Sequence, residues 1–210
     1  MSNAFASTAR YYDLIYAFKD YAARHEAVTG AKPDFWASAP AYASFQILQQ
    51  AIEGFDLFVR TLGVGPQVRP IAYDPDAPLH ARYKVAFDFL DAEEWDLLAD
   101  MVLTINTFFG WDFNSCEMLV AHDGPDGPEV YPIDYANACP DVAVTSLHYY
   151  FPWAMKALVK WTAFCVVTDR PVQLDLTTGD YYAIADRDDL SYREKLTAYR
   201  AISDAHFDTE

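Results

Sequence analysis

Trp111-Asp112-Phe113-Asn114-Ser115-Cys116-Glu117-Met118-Leu119-Val120 and Val130-Tyr131-Pro132-Ile133-Asp134-Tyr135-Ala136-Asn137 frame the stretch that decides the fold. Between them runs Ala121-His122-Asp123-Gly124-Pro125-Asp126-Gly127-Pro128, dense in turn formers. Two β-prone arms around such a loop read as an antiparallel hairpin, with strands over 112–120 and 129–135. A loop of 121–128 sets residue 119 against 130, 117 against 132 and 115 against 134. Glu117 and Asp134 then share one face, a diagonal step apart and within reach of each other. Met118, Val120 and Ile133 turn to the other face and can fill a core.

The segments around this hairpin agree with it. Phe55 to Leu62 alternates like a strand, Gly63-Val64-Gly65-Pro66 is a turn, and Gln67 to Tyr73 returns. Asp74-Pro75-Asp76-Ala77-Pro78 is loop, because its prolines cannot sit inside a ladder. Asp91 to Phe109 reads as a helix. Asp91 and Glu94 have the spacing of a capping box, Trp95, Leu98, Val102, Ile105 and Phe109 form a stripe, and Gly110 suits a left-handed cap. Phe151 to Thr168 is an apolar helix with Pro152 in its first turn. Ser191 to Ala205 is another, opened by Ser191 and Glu194, with Tyr192, Leu196, Tyr199 and Ile202 on one side. Hairpins interrupted by helices predict an α+β fold: antiparallel β-hairpins forming one sheet covered by helices. Neither GxGxxG nor GxxxxGK[ST] occurs, so no Rossmann fingerprint or P-loop is visible.

Toward the N-terminus, residues 8–28 have the spacing of an amphipathic helix, and 30–41 carry the Gly and prolines of a linker. The predicted organisation is an N-terminal helix and linker over 1–43 and one α+β domain over 44–210. The net charge of −16 repels phosphate backbones and anionic bilayers, so neither nucleic acid nor a membrane is an expected partner. Cys116, Cys139 and Cys165 form no CxxC, and the first residues lack an apolar leader run; both fit a cytoplasmic protein.

Two carboxylates on one face repel each other unless a cation sits between them. Glu117 and Asp134 with the amide of Asn137 make an all-oxygen set, which suits a hard ion such as Mg²⁺ that completes its shell with water and phosphate. The bland alternative is a pair of solvated strand acids in an acidic chain.

The residues also resemble a known family. Leu48-Gln49-Gln50-Ala51-Ile52-Glu53-Gly54-Phe55-Asp56-Leu57-Phe58-Val59-Arg60 is similar to the Gln-containing, Gly-Asp-Arg segment of the ATP-grasp superfamily. Glu117, followed by the run from Tyr131 to Pro140, resembles that family's closing signature of an Asp, then Glu, Asn and Pro. The resemblance spans about residues 45–168 and implies the C-terminal ATP-grasp subdomain. It departs in detail: Glu and Asp are exchanged, and Asn137 stands three residues after the second acid rather than two.

What the resemblance implies is specific. Gln49, Gln50 and Ile52 would line the adenine. Arg60 and Arg69 would face phosphate or a substrate carboxylate. Glu117, Asp134 and Asn137 would hold Mg²⁺. Such proteins use ATP to activate a carboxylate as an acyl phosphate for attack by an amine, so the implied ligands are ATP, Mg²⁺ and a small carboxylate and amine. The family's earlier half, with its Gly-rich loop and phosphate-gripping lysines, has no counterpart in residues 1–44. A ligase of this type would therefore need a missing N-terminal half or a partner chain to supply it. The alternatives are a catalytically inactive remnant acting as a protein-binding module through the edge left open, and an unrelated α+β binding domain.

Overall fold

The computed structural model describes residues 52–122, 124, 127–171 and 178–207. The expected helix at 8–28 and linker at 30–41, together with Gln49 and Gln50, lie outside them. The fold is α+β. Strands β1 (Leu57–Val64), β2 (Gln67–Ala72), β3 (Phe113–Ala121) and β4 (Glu129–Asn137) make one antiparallel sheet in the order β2-β1-β3-β4. Pro70 and Pro132 fall on the two edge strands, where a missing N–H is tolerated.

Helix α1 (Ala92–Phe109) starts as its sequence dictates. Asp91 Oδ1 accepts the Glu94 N–H and Glu94 Oε2 accepts the Asp91 N–H, each at 2.8 Å. Gly110 ends it at φ 67°, ψ 34°. Its buried stripe is not the expected one. Leu98 and Val102 belong to it, but Leu97, Met101, Asn106 and Thr107 join them, while Trp95, Ile105 and Phe109 lie at the margin. Buried Glu94, Asn106 and Thr107 hid part of the true stripe from an apolar count, and Leu97 and Met101 lie on the side that count passed over.

α1 covers one face of the sheet. Val59, Cys116, Met118, Val120 and Val130 pack there against Leu97, Leu98, Met101 and Val102. Helix α5 (Tyr192–Phe207) lies on α1 and adds Leu196 to this core. Ser191 and Glu194 form the expected cap, with the Ser191 N–H donating to Glu194 Oε2 at 2.8 Å. The buried side of α5 is Leu196, Ser203 and Phe207; Tyr192 is exposed.

The opposite face is covered unevenly. Short α2 (Val144–Leu147), a 3₁₀ turn at His148–Tyr150 and α3 (Phe151–Val167) close over Leu62 and Ile71 with Leu147, Tyr150 and Ala154. Past the β1–β2 turn, Ala157 and Trp161 pack on Val64, Leu103 and Phe207. α3 is mostly apolar, with Lys156 and Lys160 its charged residues, but has a sheet on one side only, so Met155, Val159, Val166 and Val167 stay exposed. A further helix, α4 (Thr178–Ala185), leans on α5. Among the described residues no helix is long and apolar enough to cross a membrane.

Candidate functional site

The β3–β4 hairpin places the acids, but not in the expected register. Ala121 pairs with Glu129, Val120 with Val130, Leu119 with Tyr131 and Met118 with Pro132. Continued regularly, this ladder would set Ile133 against Glu117 and turn Asp134 into the α1 core, since a one-residue slip exchanges the faces. Two bulges prevent that. The first leaves Ile133 as an extra residue, so Glu117 pairs with Asp134; the second sets Ser115 against Asn137. Glu117 and Asp134 are thus directly opposite rather than diagonal. Ile133 is half-buried, whereas Met118 and Val120 are fully buried as expected.

A buried amide holds the bulged strand. Asn114, completely buried, donates from Nδ2 to Tyr135 O and to Asn106 Oδ1, both at 2.9 Å. Its Oδ1 accepts the N–H of Ser115 at 2.8 Å and of Asn137 at 3.1 Å. Backbone groups that the bulge takes out of the ladder therefore keep partners away from water.

Register then lays two rows across the half-open face. One runs Ile71, Arg60, Glu117, Asp134; the next runs Arg69, Leu62, Ser115, Asn137. Arg60 Nη1 is 3.2 Å from Glu117 Oε1, and its Nε donates to Ser115 Oγ at 2.8 Å. The Arg60 guanidinium lies over the rings of Tyr73 (5.6 Å) and Tyr83 (5.9 Å). Tyr83 reaches this place because it bridges Tyr73 as a one-residue extension of β2. Arg82 donates to Tyr73 Oη at 3.4 Å and to Ala77 O at 3.1 Å.

Burial pushes the Glu117 carboxyl above its ordinary range; Arg60 opposes that shift and the charge of Asp134 adds to it. Asp134 itself is exposed. Burial pushes the Tyr83 phenol up to about 12. Burial, with Asp134 adding to it, pushes the Cys116 thiol up to about 12 as well, so Cys116 packs as an apolar residue and not as a nucleophile.

The structure therefore brings together Arg60, Glu117 and Asp134, with Asn137 one row away. It does not bring Arg69 into the same contacts. The Arg69 guanidinium lies between the rings of Trp95 (5.8 Å) and Tyr150 (5.6 Å), a packing strap at the sheet edge. Ile52 is half-buried ahead of β1. Ser115, Tyr73 and Tyr83 are not among the residues that the sequence assigned to the site. Among the described residues no three or more His, Cys, Asp or Glu side chains group so as to hold a metal ion. What Glu117, Asp134 and Asn137 offer is two carboxylates and an amide, a hard-oxygen set that fits an ion taking the rest of its shell from water and phosphate. Compared with protein-family models, curated proteins and solved structures, the chain matches none.

Proposed function

We propose that this chain carries the metal and phosphate side of an ATP-grasp-type site. In this reading Glu117, Asp134 and Asn137 hold Mg²⁺, Arg60 faces phosphate or a substrate carboxylate, and Gln49, Gln50 and Ile52 line the adenine. The observation that carries it is the pair of bulges. They set Asp134 beside Glu117 and Asn137 beside Ser115 on the one face that keeps solvent contact, despite the three-residue spacing of Asp134 and Asn137. Arg69 stays in the proposed set one row away, facing phosphate or a substrate carboxylate; its guanidinium lies over the Trp95 and Tyr150 rings, and its buried Nε has no hydrogen-bond partner among the described residues.

The reaction class is ligation: ATP activates a small carboxylate as an acyl phosphate, which an amine attacks. Mg²⁺ would supply positive charge where the transferring phosphoryl group gains negative charge. Arg60 adds to it from a ring-backed seat that restricts its motion. Lysines that grip the phosphates would come from a partner chain or further segment, and without them binding is weak. A specific observation favours the second reading, an inactive remnant that binds another protein: the exposed apolar side of α3, Met155, Val159, Val166 and Val167.

Thermal unfolding with millimolar ATP, with and without Mg²⁺, separates the two. The ligase-type reading expects a rise of about 1–2 °C that needs both ligands, since ligand near its Kd adds only a few tenths of a kcal/mol. Asp134→Asn should abolish the rise, and ADP release across a panel of carboxylates and amines would then look for turnover. No response to ATP and Mg²⁺ together leaves the protein-binding reading.

A further inference from the structure

Resting on that reading, we propose that Arg60 is the built-in counter-cation of the Glu117–Asp134 pair, and that a divalent ion and an anion enter the site as a coupled pair. The ion takes Glu117 from Arg60, and the freed guanidinium takes the anion.

Arg60 is held on three sides. Its Nη1 faces Glu117 Oε1 at 3.2 Å, its Nε bonds Ser115 Oγ at 2.8 Å, and its flat face rests on Tyr73 and Tyr83. Ser115 is 1% exposed, so that anchor belongs to the framework of the sheet. The side chains of Arg60 and Glu117 are only 18% and 24% exposed, so water screens the pair weakly. Glu117 is the one carboxylate in this row that Arg60 touches, and it is also the one directly across from Asp134.

A metal ion shared by Glu117 and Asp134 competes with Arg60 for the charge of the same carboxylate, since the guanidinium sits 3.2 Å from Glu117 Oε1. It brings two positive charges against one, so it can win, but alone it wins little. The Arg60–Glu117 pair must break, and a guanidinium without a counter-ion is left beside a divalent cation. An anion lying between the two removes that repulsion. The ring seat persists when the carboxylate is lost, because cation–π contact does not depend on Glu117. Arg60 therefore stays where an anion can find it. Linkage requires the effect to be mutual: whatever factor the anion adds to metal affinity, the metal adds to anion affinity.

The test follows Mn²⁺ by electron paramagnetic resonance in the intact chain, with sulfate as the anion because Mn²⁺ itself holds sulfate weakly. Wild type should bind Mn²⁺ weakly and tighten at least fivefold on adding sulfate. Arg60→Met should bind Mn²⁺ about tenfold more tightly than wild type without sulfate, the worth of a partly buried ion pair, and should show no sulfate effect. Ser115→Ala keeps every charge and only loosens the arginine; it should bind Mn²⁺ about twofold to threefold more tightly, and it carries the test if Arg60→Met does not fold. Mn²⁺ binding that Asp134→Asn abolishes, yet that neither Arg60→Met nor Ser115→Ala strengthens, overturns the proposal and leaves the metal reading standing. Absence of any Mn²⁺ binding sensitive to Asp134→Asn overturns both.

Discussion

Asn114 Oδ1 accepts the backbone N–H of Asn137 at 3.1 Å, so one buried side chain ties β3 to the bulged end of β4. Asn114→Ala would leave Tyr135 O, the Asn137 N–H and Asn106 Oδ1 without that partner. The expected cost is roughly 2–4 kcal/mol, since each buried polar group left unpaired costs about 1–3 kcal/mol and water restores part of it. Urea unfolding measures it. On the proposed metal reading, Mn²⁺ binding should weaken in the same variant, because the bulges set Asp134 beside Glu117.

Gly65 sits at φ 53°, and a Cβ there would fall 2.3 Å from the Trp161 ring. Gly65→Ala thus adds left-handed backbone strain of about 1–2 kcal/mol to a clash of about 1–3 kcal/mol. Trp161→Leu in the same chain should recover the clash but not the strain. A double-mutant cycle from chemical denaturation should show a favourable coupling of at least ~1 kcal/mol. Simple additivity would mean that the turn and α3 do not meet as described.

The three thiols should react in order of exposure. Cys139 is exposed, Cys165 half-buried and Cys116 fully buried with its thiol pushed up to about 12. A chromogenic disulfide reagent at pH 8 should label Cys139 at once and Cys165 slowly. Cys116 should wait for denaturant, since only the thiolate attacks and this one forms reluctantly. Prompt labelling of Cys116 would mean that α1 does not seal the inner face of the sheet.

What the sequence revealed and hid follows from the range of the interactions. The start of α1 was legible because the Asp91–Glu94 box is local chemistry. Both hairpins were legible because alternation and turn residues are local too, but the first turn was placed too early: Gly63 and Val64 belong to β1, and only Gly65-Pro66 turns. The β3–β4 register was not legible, since the Asn114 amide that holds the bulged strand is itself tied to Asn106, which comes from α1. The local hint was Pro132, a residue that ladders accept at edges and bulges. Arg60 and Glu117 were each visible as charged strand residues, but nothing in the chain said that Tyr73 and Tyr83 would lie under Arg60. That depends on a single bridge between β2 and a stub beyond its loop. Helix α4 was missed because Thr178–Ala185 is short, contains Gly179 and buries only Tyr181.

Tyr83 supplies a pH test of the half-open face. Burial, reinforced by Tyr73, Glu117 and Asp141 and opposed by Arg60, moves its phenol up to about 12 from an ordinary value near 10. An acid whose pKa is raised by folding stabilises the native state below the unfolded pKa and loses that contribution as pH climbs to the folded one. Tyr83 should thus add its full share below pH 10 and none above 12. A shift of about two units corresponds to on the order of 2–3 kcal/mol, of which about 1 kcal/mol is lost by pH 11. Tyr83→Phe cannot ionise, so its stability should fall less steeply between pH 10 and 12 than that of wild type. Urea midpoints at pH 9, 10 and 11 read the difference directly, and the other tyrosines cancel in the comparison. Parallel curves for the two proteins would mean that Tyr83 is solvated, and that Arg60 has no aromatic seat beside Glu117.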